Sequence, residues 1–351
     1  MHQPRDPGSL DRRGFLHASL AGASVLALGT CVGGARLAFA APRGASSRRH
    51  CLPDRPAPPS RSRVAVVRSA EHPGHREAVE RAIALFGGLG FVRPGETVLL
   101  KPAVNSGSRY PATTDPETVL VMAELVKEAG GEPFVADRTM LLRSTEEAFR
   151  KTGIRDAAEQ AGIPCYPLDD EDSVAIRHPL ARHWPGSRVC IYSPVVAADH
   201  IINLCTPRTH ALGGFTMSMK NNVGVVRNSS RPRMHFPRGL KERLAEISLV
   251  VRPSLVVMDG REGFTDGGPD SGDLARTGFI AAGSDPVAID AIGLAHLRLE
   301  GANPAIGEGS VWKIPMMKRA ALIGLGVGSE QAIDLVGADP ESEAALRAEL
   351  A

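Results

Sequence analysis

A histidine and a lysine interrupt an apolar, glycine-containing run in the segment HALGGFTMSMKNNVGVV, where they are His210 and Lys220. An amine in apolar surroundings loses its proton more easily than one in water, which suits a lysine for general-base or nucleophilic chemistry. A buried salt bridge to a carboxylate is the alternative role for such a lysine, and the sequence leaves both roles open. Lys220 and His210 are therefore the candidate catalytic residues.

Polar side chains follow four apolar segments that have the composition of buried strands. The carboxyl ends of parallel strands meet at one edge of a sheet, and ligands of α/β proteins bind in the crevice outside that edge. Cationic and amide groups at this edge can hold an anion, and carboxylates can hold a metal. The anion-binding candidates are Lys101 and Asn105 after TVLL and Arg208 after IINL, and the metal-binding candidates are Asp137 after PFVA and Asp259 after LVVM.

The segment ATTDPE has the residue types of a helix start. Thr113, Thr114 and Asp115 are suitable N-cap residues, and Pro116 suits the first helical position. Capping alone explains these residue types. Because a helix N-terminus also attracts anions, Thr113 and Thr114 are further candidates for contacts to an anion.

Strand patterns alternate with helix-length patterns from VAVV, residues 64–67, onward. This alternation predicts an α/β fold with a mostly parallel twisted sheet and helices on both faces, in one domain or two lobes. The acidic, glycine-rich segment 259–273 is expected to form a long loop or lid over the strand ends, with a solvated series of turns as the alternative. The predicted helices cover residues 76–88, 116–129, 145–162, 238–251, 286–299 and 313–323.

The N-terminal residues, 1–40, have the pattern of an export signal. Arg12 and Arg13 precede an apolar run that ends at AFA, as in twin-arginine signals with a small-residue cleavage site. We therefore expect the twin-arginine translocation machinery to carry the chain to a periplasmic or other extracytoplasmic location. Glycine and arginine break the apolar run, so a stable membrane span is not expected. Thr30 fits a lipid-attachment motif poorly, so lipid anchoring at Cys31 is not expected either.

Composition divides the rest of the chain into three parts. Residues 41–63 are rich in Pro, Arg and Ser and are expected to be a disordered linker, residues 64–338 the α/β domain, and residues 339–351 a C-terminal tail. Without the export signal, the chain has as many acidic as basic residues. It therefore lacks the strong basic field that a nucleic-acid or membrane-surface partner would require.

Four cysteines follow the predicted export signal, and they are Cys51, Cys165, Cys190 and Cys205. None of them forms a Cys-x-x-Cys pair, so the usual spacings of iron–sulfur and structural zinc sites are absent. An iron–sulfur cluster within this chain is therefore not expected. The sequence does not decide whether any of the four cysteines forms a disulfide.

The order and spacing of several motifs resemble the family called domain of unknown function 362, over about residues 64–327. The motifs are LLKPAVN, ATTDPE, the segment from ADHIINL to His210, a Lys-Asn pair and the helix start GSDPVAIDA. Two positions depart from the family pattern: Ala103 stands where asparagine is usual, and Arg208 stands where lysine is usual. The resemblance implies a family without an established activity, and it adds Asn221, beside Lys220, to the candidate anion-binding residues.

A shorter stretch, residues 210–235, is similar to the nickel-pincer lactate racemases. In that family a lysine carries a modified nicotinic-acid cofactor and a later histidine binds nickel. The residues of this chain that correspond are His210, Lys220 and His235. The resemblance makes His235 a candidate ligand of a divalent metal, beside Asp137 and Asp259, and the identity of any cofactor stays open.

Three functions are compatible with these patterns, and the sequence does not decide whether the chain is an enzyme. The first is an exported, cofactor- or metal-dependent enzyme with redox or isomerase chemistry on a small anionic hydroxy or keto acid. The second is a ligand-binding protein that uses the same crevice without chemistry. The third is an electron-transfer accessory of a separate iron–sulfur protein.

Overall fold

Apolar strands form the centre of the protein in a computed structural model that describes residues 59–234 and 238–351. The predicted export signal, most of the predicted linker and His235 lie outside the described residues. In chain order the strands are β1 (Ser62–Arg68), β2 (Thr97–Lys101), β3 (Glu132–Asp137), β4 (Cys165–Pro167), β5 (Ser173–Arg177), β6 (Arg188–Tyr192), β7 (His200–Cys205), β8 (Arg208–His210), β9 (Gly214–Thr216), β10 (Leu255–Gly260), β11 (Gly263–Asp266), β12 (Asp273–Ala275), β13 (Phe279–Gly283) and β14 (Ile333–Val336).

The helices connect these strands and cover the sheet. In chain order the described helices are α1 (His75–Phe86), α2 (Pro116–Glu128), α3 (Thr145–Thr152), α4 (Ile154–Gln160), α5 (Ser193–Ala197), α6 (Ser218–Asn221), α7 (Arg231–Met234), α8 (Leu240–Ile247), α9 (Pro286–Leu299), α10 (Pro304–Gly307), α11 (Pro315–Leu322) and α12 (Pro340–Leu350). Two of the predicted helix starts are confirmed in detail. Asp115 accepts a hydrogen bond from the Glu117 amide, and Asp285 accepts from the amides of Val287 and Ala288.

The large sheet has the strand order β14-β1-β13-β10-β7-β2-β3-β4. Its neighbouring strands are parallel except where β13 pairs with β1 and β10, so the predicted mostly parallel α/β sheet is confirmed. The chain leaves β2 toward β3 and β4 on one side and later returns to form β7 and β10 on the other side. The strand order therefore reverses between β2 and β7, the position at which open α/β sheets form a ligand crevice.

Alternate residues of each strand face opposite sides of the sheet, and both sides are covered. Val98 and Leu100 belong to a core cluster that includes Val79 of α1 and Met122 of α2. Leu99 is equally buried and points to the opposite side, where α9 contacts β10 and β13. Two-sided burial explains why these strands are apolar at nearly every position.

The acidic segment differs from the long loop expected for residues 259–273. Its first two residues end β10, and Gly263–Asp266 and Asp273 belong to a second sheet with the order β12-β11-β8-β9, in which Phe264 of β11 pairs with Arg208 of β8. Phe264 is buried, so the segment has an apolar anchor among its glycines and carboxylates. Only residues 267–272 remain as a loop between β11 and β12.

The helices predicted near residues 145–162 are α3 and α4, which are separated at Gly153, whose left-handed φ of 85° ends α3 before α4 begins. A predicted boundary differs from the structure at the C-terminus. The predicted tail contains α12, in which Leu346 and Leu350 are buried and which contacts α9. The C-terminal residues are thus part of the folded domain.

All described residues fall within one compact unit. Within residues 59–234 and 238–351, no helix is long and apolar enough to cross a membrane. Cys165, Cys190 and Cys205 are free thiols among the described residues, so they do not pair with one another.

Candidate functional site

Lys101 and Asp137 form a buried ion pair at the carboxyl ends of the adjacent strands β2 and β3. Lys101 Nζ lies 3.0 Å from Asp137 Oδ1, and both side chains are almost fully buried. The ammonium also donates to Pro102 O at 2.6 Å and to Asn221 Oδ1 at 2.9 Å. These two hydrogen bonds use two of the three N–H donors of the ammonium, and the contact to Asp137 Oδ1 is an ion pair without a hydrogen bond. The charge of Lys101 is therefore already neutralised by Asp137, which disfavours a role in binding an anion.

Burial acts against both charges of this pair. It lowers the pKa of Lys101 and raises the pKa of Asp137, while the attraction between the two groups favours both charged forms. Gly224 packs directly against the pair, because a Cβ atom there would lie 1.9 Å from Asp137 Oδ1 and 2.8 Å from Lys101 Nζ. A glycine at this position is therefore a steric requirement of the ion pair.

A chain of asparagines connects the ion pair to the segment that carries Lys220. Asn221 Nδ2 donates to Asn203 Oδ1 at 2.8 Å, and Asn203 Nδ2 donates to Asn222 Oδ1 at 3.2 Å. Asn222 Nδ2 continues the chain to Ser248 Oγ at 3.2 Å. The Asn221 amide, predicted to bind an anion, thus serves to hold α6 against the ends of β2 and β7.

Asp290, which belongs to α9, caps the N-terminus of the short helix α6. Its Oδ1 accepts from Ser218 N at 2.7 Å and its Oδ2 accepts from Met219 N at 3.1 Å. Burial raises the pKa of Asp290 to about 7. The motif DPVAIDA contains this residue, but only the packing of α9 against α6 reveals its role.

Lys220, on α6, is half-buried and differs from Lys101 in having no acceptor. Among the described residues, the Lys220 ammonium has no hydrogen-bond acceptor and no ion-pair partner. Its stem lies against Gly213, where a Cβ atom would be 3.4 Å from both Lys220 Cδ and Cε. Burial lowers its pKa to about 7, and repulsion from Arg208 is the next largest cause. Attraction to Asp270 acts in the opposite direction and is larger than the repulsion from Arg231. About half of these amines are therefore neutral at neutral pH.

Lys220 lines a small cavity at the reversal of strand order, which we call the lysine pocket. The cavity has a volume of about 50 Å³. This is enough for a carboxylate or a few atoms, and well below the roughly 300–1,000 Å³ of sites for larger ligands. The charged and amide residues of the lysine pocket are Lys101, Asn105, Asp137, Arg138, Arg208, Lys220, Asn221 and Arg231. Five of these side chains are cationic and one is a carboxylate, so the pocket favours an anion.

Arg208 and Arg231 contribute to the lysine pocket in different ways. Arg231 donates to four backbone carbonyls, including Thr139 O at 2.6 Å and Gly224 O at 3.0 Å, and it holds these segments together. Arg208 Nη1 donates to Ala112 O and to Pro269 O. The buried Arg208 Nε has no hydrogen-bond partner among the described residues. Arg208 therefore has a donor to spare, as its predicted role in anion binding requires.

The loop 267–272 lies at the lysine pocket through Asp270. Asp270 accepts from Asn105 Nδ2 at 2.6 Å and pairs with Arg143 at 3.1 Å. Asn105 thus lines the lysine pocket, with its amide N–H bound to the loop, and its contact to an anion stays a prediction. The sequence marks the acidic segment but not which of its carboxylates reaches the strand ends.

Three predicted residues have local structural roles in the described region. His210 Nδ1 accepts from the amides of Leu212 and Gly213, and His210 is not among the residues that line the lysine pocket. The Thr113 hydroxyl donates to Ser108 O, and the Thr114 hydroxyl donates to Leu204 O. The two threonines therefore hold the 102–114 segment on the sheet.

Asp259 belongs to a separate buried cluster on β10. It pairs with Arg261 at 2.8 Å and accepts from Tyr110 Oη at 3.0 Å. Arg261 also lies 4.8 Å from the centre of the Tyr110 ring and pairs with Asp115. These contacts tie the N-terminus of α2 to β10.

The structure does not bring the two metal-binding candidates together. Asp137 and Asp259 are on β3 and β10, which are three strand spacings apart, or about 14 Å at about 4.8 Å per spacing. One metal ion with ligands about 2 Å away cannot bind both. Within residues 59–234 and 238–351, no group of three or more His, Cys, Asp or Glu side chains could hold a metal. The prediction for His235 is not tested, because it lies outside these ranges.

The fold and this site define an α/β protein with a cationic pocket where the strand order reverses. The chain belongs to the family described as domain of unknown function (DUF362), whose model matches residues 98–295. A thylakoid-associated protein of Synechocystis sp. is 33% identical over 217 residues, which are 58% of this chain and 64% of that protein. The chain therefore matches less than two thirds of the length of this relative. All residues of the lysine pocket lie within the family match.

Proposed function

We propose that this protein is an enzyme that acts on a small hydroxy or keto acid, with Lys220 as the amine that meets the substrate. One observation carries the proposal: two cations, Lys220 and Arg208, line the same small cavity, and the Lys220 amine has no partner among the described residues. An unpaired buried cation is costly, and a ligand anion would remove that cost.

Each cation has a separate part in this proposal. The carboxylate of the acid accepts from Arg208, whose Nε has no partner among the described residues, and from the protonated form of Lys220. The neutral form of Lys220, available because its pKa is about 7, can take a proton from the carbon or hydroxyl next to the carboxylate. The ion pair of Lys101 and Asp137 orients α6 through Asn221.

Binding is tested by calorimetry of the purified protein with lactate and with pyruvate, beside Lys220→Met and the control variant Lys318→Met. Lys318 is exposed on α11, away from the lysine pocket. We expect both acids to bind the wild type and Lys318→Met, and to bind Lys220→Met at least tenfold more weakly, which is about 1.4 kcal/mol. Equal binding to Lys220→Met would contradict the proposal.

Chemistry is tested with the same proteins in deuterated water. Proton transfer at Lys220 predicts that deuterium enters the bound acid next to its carboxylate or carbonyl group, as followed by proton NMR. Exchange should stop in Lys220→Met and continue in Lys318→Met. Binding without exchange would favour a ligand-binding protein that performs no chemistry.

We also propose that the chain is exported by the twin-arginine route. The support is the sequence pattern alone, in which Arg12 and Arg13 precede an apolar run that ends at AFA. Replacing both arginines by lysine should retain the protein in the cytoplasm, as measured by cell fractionation and immunoblotting. Unchanged export of this double variant would contradict the proposal.

A further inference from the structure

Lys101, at the end of β2, and Lys220, on α6, differ in the state of their amines. Lys101 forms an ion pair with Asp137 and donates hydrogen bonds to Asn221 and to Pro102 O. Lys220 has no acceptor among the described residues, although its side chain lines the same cavity. A lysine whose ammonium is bound by a carboxylate cannot act as a nucleophile, whereas an unpaired amine beside a cavity can.

The Lys220 side chain is held in place without a contact to its amine. Asp290 accepts from the first amides of α6, and Asn221, the next residue, is bound by Lys101 and Asn203. The Lys220 stem packs near Gly213, where a Cβ atom would lie 3.4 Å from Lys220 Cδ and Cε, an ordinary van der Waals distance. The amine is therefore presented to the cavity by a rigid support, as a covalent nucleophile requires.

Arg208 supplies the group that would recognise a carboxylate next to this amine. Its buried Nε has no partner among the described residues, and its repulsion contributes to keeping Lys220 neutral. The cavity of about 50 Å³ has room for a carboxylate and the adjoining carbon, but not for a bulky molecule. In a 2-oxo acid the carbonyl carbon is bonded directly to the carboxylate carbon, so binding of the carboxylate brings an electrophilic carbon to the amine.

We propose that Lys220 forms a Schiff base with the carbonyl carbon of a small 2-oxo acid whose carboxylate is bound by Arg208. The inference rests on the proposed function, because it requires a small acid in the lysine pocket. The lone pair of Nζ forms a bond to the carbonyl carbon, and the carbonyl oxygen takes up protons and leaves as water. The product is a protonated imine, and the step needs one proton from solvent and no oxidant or reductant.

The pH of the solution and the charged groups around Lys220 determine the fraction of Lys220 that is the neutral amine, the form that reacts in this step. The pKa of about 7 means that neutral amine is present at physiological pH. Arg208 and Arg231 face the amine as like charges, and Asp270 is the carboxylate that opposes them. The protonated imine that forms from the neutral amine is a cation, and the substrate carboxylate neutralises it.

The test uses the purified protein with pyruvate and sodium cyanoborohydride, which reduces an imine to a stable secondary amine. Intact mass should then increase by the mass of pyruvic acid less one oxygen atom, and peptide mapping should place the increase on Lys220. Lys220→Arg keeps the positive charge but should lose the adduct. Lys318→Arg should retain it, and excess lactate, which has no ketone group to form an imine, should suppress it by competition.

The outcomes separate this inference from the proposed function. Binding of lactate and pyruvate without a trapped adduct would overturn the Schiff base and leave the proposed function standing. Absence of both binding and trapping would overturn both. An adduct that is distributed over exposed lysines, or that persists in Lys220→Arg, would also overturn the inference.

Discussion

Replacing Lys220 by methionine should stabilise the folded protein, and the gain should depend on pH. Methionine keeps most of the stem that packs against Gly213 but removes an amine that has no partner among the described residues. Lowering a pKa from 10.5 to about 7 corresponds to about 5 kcal/mol for holding the charged amine in the folded state. Since Lys220 is half-buried, solvent reduces this cost, and we expect a gain of about 2 kcal/mol at pH 6.

The sign of the pH dependence follows from proton binding by the two states. Between pH 7 and pH 10.5 the unfolded chain keeps the proton on Lys220, whereas the folded protein has released it. The stability of the wild type therefore rises with pH through this window, by at most about 1.4 kcal/mol per pH unit. The methionine variant has no such proton, so its stability gain over the wild type should shrink from pH 7 upward.

Urea unfolding followed by circular dichroism at pH 6, 7.5 and 9 measures this difference directly. Lys318→Met, which removes an exposed amine, is the matched control and should change stability by less than about 0.5 kcal/mol at each pH. A variant less stable than the wild type at pH 6, or a difference independent of pH, would show that Lys220 has a partner in the folded protein. That result would refute the reasoning for both its binding and its chemistry.

Three further substitutions test the support of the lysine pocket. Gly224→Ala places a Cβ atom 1.9 Å from a carboxylate oxygen of the buried ion pair, and it should lower the free energy of unfolding, measured with urea, by about 3 kcal/mol. Gly90→Ala is the control, because no atom lies within 4 Å of its Cβ, and it should lower this free energy by less than about 1 kcal/mol. Asp290→Ala leaves two amides of α6 without acceptors and should lower the free energy of unfolding by about 2 kcal/mol. It should also weaken pyruvate binding measured by calorimetry, and unchanged binding would show that the support of α6 by Asp290 does not matter for the site. Asp270→Asn removes the carboxylate that raises the pKa of Lys220, so the neutral amine should be present at a lower pH than in the wild type. Acetylation of Lys220, followed by mass spectrometry, should therefore begin at a lower pH, and a shift to higher pH would contradict this.

Much of the fold could be predicted from local patterns. Two-sided burial makes strands such as β2 and β10 apolar at nearly every position. The Asp-Pro pairs at the starts of α2 and α9 mark these helix starts, because capping depends on residues that are neighbours in the sequence. The short strands of the second sheet were not predicted. They have no clear alternation, and their pairing depends on residues far along the chain, such as Phe264 with Arg208.

The sequence by itself determined that Lys220 occupies an unusual apolar context and that Lys101, Asp137 and Asp259 follow strands. Only the tertiary structure decided which of these groups are paired with one another. β2 and β3 are neighbours, so Lys101 is neutralised by Asp137, whereas Asp259 lies three strands from Asp137 and pairs with Arg261. Lys220 has no partner among the described residues, and its position depends on how α9 packs against α6. Strand order and helix packing are long-range properties, and local sequence patterns do not contain them.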